Sequence, residues 1–155
     1  RLFDVVASLL GVCHRVSYEG QAACELEAIC VESEETMRVE WQPQGLLEEL
    51  SSRLLAGEAA GLLATRFHNG LADLVVRSAR QLGRGNTIGL TGGCFQNLRL
   101  LRSCLKRLQE AGFEVLIHQQ VPANDGGLAL GQAVVAQSRL KGGAENVSWN
   151  SRPNP

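Results

Sequence analysis

Three observations predict an α/β fold, rich in helix and carrying one parallel βαβ unit. Residues 86–91, NTIGLT, and 113–117, FEVLI, are short runs with strand character. Between them, from Gln96 to Ala111, apolar residues recur at helical spacing: Leu101, Cys104, Leu105 and Leu108 face one way, Arg102, Lys106 and Arg107 the other, and Gly112 closes the helix. Strand, helix and strand within about thirty residues form a crossover unit, whose strands run parallel and whose hand is right-handed.

The remaining elements read mostly as helix. RLFDVVASLLG, residues 1–11, places Leu2, Val5, Val6, Leu9 and Leu10 on one face, with Gly11 as its stop. In SYEGQAACELEAIC, residues 17–30, a glycine turn leads into Ala, Leu and Ile at helical spacing. TMRVEW, residues 36–41, alternates apolar and polar residues and is expected to be a strand, after which Pro43 breaks the chain. From Leu46 to Leu82 two helices are expected to meet near Gly57 to Gly61, the second carrying Leu62, Leu63, Phe67, Leu71, Leu74, Val75, Ala79 and Leu82. The last helix is expected over 128–140, where Ala129, Gly131, Ala133 and Ala136 would let another element approach closely. Periodicity is lost after Lys141, and a mobile tail is expected over 141–155.

Composition narrows the classes of function. The 155 residues are 45% hydrophobic and 20% charged, as suits one globular domain, and a chain of this size buries roughly two thirds of its unfolded surface without needing a disulfide or metal. A formal charge of -1 and a pI near 6.3 give no global attraction for nucleic acid or anionic membrane, so neither is expected as a partner. No apolar run approaches the ~20 residues that cross a bilayer, and no signal peptide is recognisable. The five cysteines, at 13, 24, 30, 94 and 104, form no CxxC pair; four lie in apolar or helical stretches, as expected of reduced, mostly buried thiols in a cytoplasmic protein rather than of a zinc knuckle. The chain opens on Arg1 without Met, as expected of a piece of a longer polypeptide.

The βαβ unit indicates where a ligand would sit. In parallel α/β sheets the binding crevice lies beyond the carboxyl ends of the strands, so Gly92-Gly93 after the first strand and HQQVPANDGG after the second should face one cleft. Without a Cβ, Gly92 and Gly93 let backbone N–H groups approach a phosphate, aided by the following helix N-terminus. Spacing alone is met equally well by a tight strand-to-helix turn, because the pattern is neither GxGxxG nor Walker A. For Asp125, local sequence favours an N-cap of the last helix. The rival is a carboxylate exposed at the cleft, a hard oxygen ligand for Mg²⁺ or one member of a Zn²⁺ or Fe²⁺ site. His14, His68 and His118 are not spaced at i, i+4, so any histidine metal site is incomplete here.

Together, LTGGCFQNLRLL, GFEVLIHQQVPANDGGLALGQAVVA, RLFDVVASLLG, VSYEGQAACELEA and FHNGLADLV resemble the carboxyl-terminal part of the HypF carbamoyltransferases that mature [NiFe] hydrogenases. The resemblance covers roughly residues 1–140. It implies the second lobe of a TsaD-like nucleotide-binding domain, an actin-like, Hsp70-like ATPase fold with ribonuclease-H-like lobes, present as a partial domain. It assigns Asp4, Gly20 and Glu25 to the adenosine, Gly92, Gly93 and Asn97 to the phosphate side, and Asp125 to a metal without excluding a capping role. His68 and Asn69 match an FHN stretch of unassigned role, and for His68 a buried, hydrogen-bonded histidine is an equal alternative. No catalytic residue is assigned.

The same resemblance implies an enzyme that uses carbamoyl phosphate and ATP, through carbamoyl-adenylate, to carbamoylate the C-terminal cysteine of HypE. Two histidines of an HxxxH motif and a YrdC-like domain belong to that machinery and are absent from this chain, which is expected to be inactive alone. The metal would polarise the carbamoyl carbonyl or hold phosphate. Cys94 is set aside as nucleophile, because the acceptor thiol belongs to the partner. A related carbamoyl- or threonylcarbamoyltransferase with another acceptor, or a noncatalytic module docking through 46–82, are the alternatives.

Overall fold

The computed structural model describes residues 1–83 and 85–141. In chain order the elements are α1 (Leu2–Leu9), α2 (Gln21–Ala28), α3 (Gln44–Leu55), α4 (Ala60–Leu82), β1 (Thr87–Leu90), α5 (Leu98–Glu110), β2 (Glu114–Ile117) and α6 (Leu128–Lys141). Single 3-10 turns, Gly93–Gln96 and Asp125–Gly127, precede α5 and α6. The two strands pair in parallel, with Thr87 opposite Glu114 and Leu90 opposite Ile117, which confirms the crossover unit. The expected helix from Gln96 to Ala111 resolves into the 3-10 turn and α5, because Asn97 adopts extended backbone between them and caps α5.

The 23-residue α4, roughly 35 Å long, is the spine. Its first half packs Leu63, Ala64 and Phe67 against α1, α2 and α3, around Val6, Leu26, Leu46 and Leu50. Its second half packs Ala72, Val76 and Ala79 against Leu90 and the α5 residues Leu100, Cys104 and Leu108. Phe3 and Leu71 touch both cores and make them continuous. Val5 and Leu82, read as inward, are exposed: Val5 lies on the rim of the α1 apolar face, and Leu82 is the last helical residue.

TMRVEW is not a strand. Its alternation is real, since Met37 and Val39 are buried between exposed Thr36, Arg38 and Glu40, but the segment lies along α4 as an extended strap. Backbone polar groups that a strand would give to a ladder go to the helix instead. The Met37 N–H donates to the Arg66 carbonyl (3.3 Å), Asn69 Nδ2 donates to the Ser33 and Glu35 carbonyls (3.0 and 2.7 Å), and Arg77 donates to that of Val39 (2.5 Å). Arg66 pairs with Glu35 on the strap and with Glu58 before α4.

The residues of α6 from Leu128 to Leu140 are exposed, including Leu130, Val134 and Val135. The close approach expected at Ala129, Gly131, Ala133 and Ala136 is therefore not made by any described element. The tail expected over 141–155 lies outside the described residues apart from Lys141. Cys13 and Cys104 are buried, but Cys24 and Cys94 are exposed, so "mostly buried" is corrected: Cys24 occupies the outer face of α2, and Cys94 a turn. Burial pushes the Cys104 thiol up to about 12. No helix among the described residues is long and apolar enough to cross a membrane.

Candidate functional site

The loops that follow β1 and β2 are tied together. Gly92, at φ 106°, turns its N–H to the Ala123 carbonyl (2.8 Å), and the Thr91 hydroxyl lies 2.9 Å from His118 Nε2. Gly92 is thus required by backbone conformation, and its N–H is already used. Substituting Gly92 with alanine strains that turn, and the expected loss of about 1–2 kcal/mol is readable by urea unfolding. Gly93 has neither constraint: a Cβ there would meet only Asn124 Cβ, at an ordinary 3.7 Å. Gly93 and Cys94 open the 3-10 turn, so no carbonyl within that turn accepts their N–H groups.

Local sequence favoured Asp125 as a cap, yet the cap is Asn124, whose Oδ1 accepts the Gly126 N–H at 3.1 Å. Asp125 is left exposed, and among the described residues its carboxylate has no hydrogen-bond or salt-bridge partner.

A cleft of about 850 Å³ lies against these loops, and it gathers Asp4 from α1, Gly20 before α2, Gly93, and Asp125. Arg1, Tyr18, Glu19 and Cys94 also line it. Three acidic residues, Asp4, Glu19 and Asp125, line it with one basic residue, Arg1, so a bound phosphate there would need a further cation. The described residues do not supply a metal centre: no three His, Cys, Asp or Glu side chains cluster to hold an ion. Asp125 offers one donor.

Other expected residues lie elsewhere. Gly92 and Asn97 do not line this cleft, and neither does Glu25, which accepts from Gln21 Nε2 (2.7 Å). Gln21 Oε1 in turn takes the Ser17 N–H and hydroxyl at 2.7 and 2.9 Å, so this relay braces the Tyr18–Gly20 lip. Tyr18, Glu19 and Gln96 escaped sequence reasoning, although an aromatic two residues before the turn glycine Gly20 was a usable signal for Tyr18. Asn69 ties the strap to α4, and its Oδ1 accepts from Ser103 of α5 at 3.3 Å.

His68 is fully buried. Its Nδ1 lies 2.7 Å from the Ala64 carbonyl, which can only accept, so Nδ1 carries the proton and Nε2 accepts from Asn97 Nδ2 at 3.0 Å. Burial holds the imidazole below its ordinary value near 6.5; Arg99 acts the same way, while the Ala64 carbonyl and Glu27 oppose. The unfolded chain therefore takes up a proton near pH 6.5 that the folded chain refuses. Stability should be fully present above pH 6.5 and decline below it, towards the lowered folded value. Urea unfolding on both sides of that pH should show the slope in the native chain and its reduction in His68→Gln.

These features define an α/β lobe presenting a polar cleft at the carboxyl ends of parallel strands. Residues 1–132 match the family model described as carbamoyltransferase, Kae1-like domain, second subdomain. The chain is 42% identical over 149 residues to the carbamoyltransferase HypF of Rhodobacter capsulatus, covering 91% of itself and 20% of that protein. Against the HypF of Synechocystis it is 37% identical over 145 residues, covering 85% and 18%. It superposes on full-length HypF in the phosphate- and nucleotide-bound form with a TM-score of 0.83 and 38% identity, over 92% of this chain and 20% of that one. The chain belongs to the HypF carbamoyltransferase family. It spans about a fifth of the length of those relatives.

Proposed function

We propose that this lobe forms one wall of the nucleotide cleft of a carbamoyltransferase. As part of the complete enzyme it serves the transfer of a carbamoyl group from carbamoyl phosphate, through an ATP-derived carbamoyl-adenylate, to the C-terminal cysteine of a HypE-like acceptor. The observation that carries this reading is the convergence of Asp4, Gly20, Gly93 and Asp125, far apart in sequence, on one cleft. The phosphate and nucleotide held by the structurally similar HypF support it.

Each residue has a task within that reading. The Gly93 and Cys94 N–H groups meet phosphate oxygens, where fixed donors stabilise negative charge without reorganising. Asp4 accepts from ribose hydroxyls beside Gly20. Glu25 lies one hydrogen bond behind the lip, and Asn97 behind the phosphate turn, so they act indirectly. Asp125 offers one oxygen to a divalent cation, Mg²⁺ with the nucleotide or a Zn²⁺ or Fe²⁺ ion, whose other ligands, two histidines, come from outside the described residues. The enzyme works in the cytoplasm, where free thiols such as the five of this chain remain reduced. Neither nucleic acid nor membrane is a partner.

Gly93→Val tests the phosphate role. The protein accommodates a Cβ there, so the fold should persist while the branched side chain fills space that a phosphate needs. Titration of the complete enzyme with ATP should show affinity reduced by about tenfold or more, roughly 1.4 kcal/mol. Unchanged affinity would remove Gly93 from the site.

A further inference from the structure

We infer that His68 is a positioning residue for the cleft: acting through Asn97, it holds the Gly93–Gln96 turn in place. The inference rests on the proposal that this turn meets the nucleotide phosphates. The turn has two anchors. At its start, the Gly92 N–H is bound to the Ala123 carbonyl (2.8 Å). At its end stands Asn97, whose N–H reaches back to the Cys94 carbonyl (3.3 Å) and whose side chain faces away from the cleft, into the core.

Both ends of that side chain are engaged. Its Oδ1 accepts the Leu100 N–H at 2.8 Å, capping α5, and its Nδ2 donates to His68 Nε2 at 3.0 Å. Reversing the amide would set Oδ1 against the Nε2 lone pair and lose the cap, so the histidine selects one orientation of Asn97. The imidazole is oriented by its own helix, through Nδ1–H and the Ala64 carbonyl, and Phe3 and Phe67 lie edge-on to it at ring-centroid distances of 5.5 and 5.6 Å. The spine of the fold is thus joined to the residue that follows the phosphate turn by one hydrogen bond, His68 Nε2 to Asn97 Nδ2, made by a ring that a second bond fixes within α4. The FHN stretch acquires a single sense: Phe67 joins the core, His68 holds the cleft turn, and Asn69 holds the strap.

A protonated ring would place an Nε2–H donor against the Asn97 amide donor and undo the link. The groups facing the ring from its surroundings are Glu27 of α2, Cys30 (Sγ 3.5 Å from Nδ1) and Arg99 of α5. A carboxylate at position 97 reverses this logic. It still accepts the Leu100 N–H, but offers His68 no donor, so while Nδ1–H stays on the Ala64 carbonyl it joins to the ring only when Nε2 is protonated as well.

The test uses the complete carbamoyltransferase, titrated with ATP from neutral pH down through the range below 6.5 in which the buried ring takes up its proton. In the native enzyme, affinity should weaken as pH falls through the titration of His68. Asn97→Asp should weaken affinity about tenfold at neutral pH and reverse that trend, binding better as pH falls. His68→Leu should lose affinity by a similar factor at all pH values, and His68→Gln, whose amide can both donate and accept, should recover most of it. If native enzyme binds ATP and Gly93→Val weakens it, while Asn97→Asp keeps native affinity and pH profile, the positioning role is wrong and the phosphate reading stands. If Gly93→Val has no effect, the phosphate reading itself fails. Should His68→Leu not fold, the Asn97→Asp profile decides alone.

Discussion

Gly70→Ala is expected to destabilise the chain by about 3 kcal/mol, near the upper end for overpacking, and to lower its melting temperature by roughly 6–12 °C. A Cβ at position 70 would stand 2.2 Å from the Met37 carbonyl oxygen and 2.7 Å from Val39 Cγ2. The first of these is backbone, and it cannot retreat cheaply. The strap is tied to α4 on both sides of the contact, by Asn69 and the Arg66 carbonyl before it and by Arg77 after it. Moving the strap out would also uncover Met37 and Val39, which are 4% and 0% exposed. Gly131→Ala is the control: no atom lies within 4 Å of a Cβ in that exposed helix, so helix propensity alone applies and stability should rise by up to ~1 kcal/mol. Urea unfolding of both variants separates the packing cost from propensity.

The βαβ unit was readable because the period changes from strand-like to helical and back within short, uninterrupted runs. The strap was misread because alternation reports only that one side of an extended segment is buried. It does not say whether the backbone groups meet another strand or the side chains of Arg77 and Asn69. The cap of the last helical segment was displaced by one residue because Asn124 and Asp125 are both good caps, and local sequence does not choose between them. Nor does periodicity join Asp4 and Gly20 to a loop more than seventy residues away; here the resemblance supplied the link, and the fold then brought those residues to one cleft. Glu25 and Asn97 show the reverse limit. Neither lines the cleft, and their side chains bond to Gln21 and to His68 and Leu100, so a motif position is not by itself a ligand contact.

Catalysis requires more than this wall. The cleft is lined by three acidic residues and one basic one, and the described residues hold no cluster of three side chains able to bind a metal ion. A phosphate gripped from one side stays hydrated, so neither preorganised charge stabilisation nor exclusion of water is available to the transition state. The account's central claim is that these residues supply half of an active site. The direct measurement is the mass of a HypE-like acceptor after incubation with carbamoyl phosphate, ATP, Mg²⁺ and either the isolated chain or the complete enzyme. The complete enzyme should add one carbamoyl group to the acceptor cysteine, and the isolated chain none above the enzyme-free control. A carbamoyl gain with the isolated chain would show that the whole site lies within these residues, and would contradict the account.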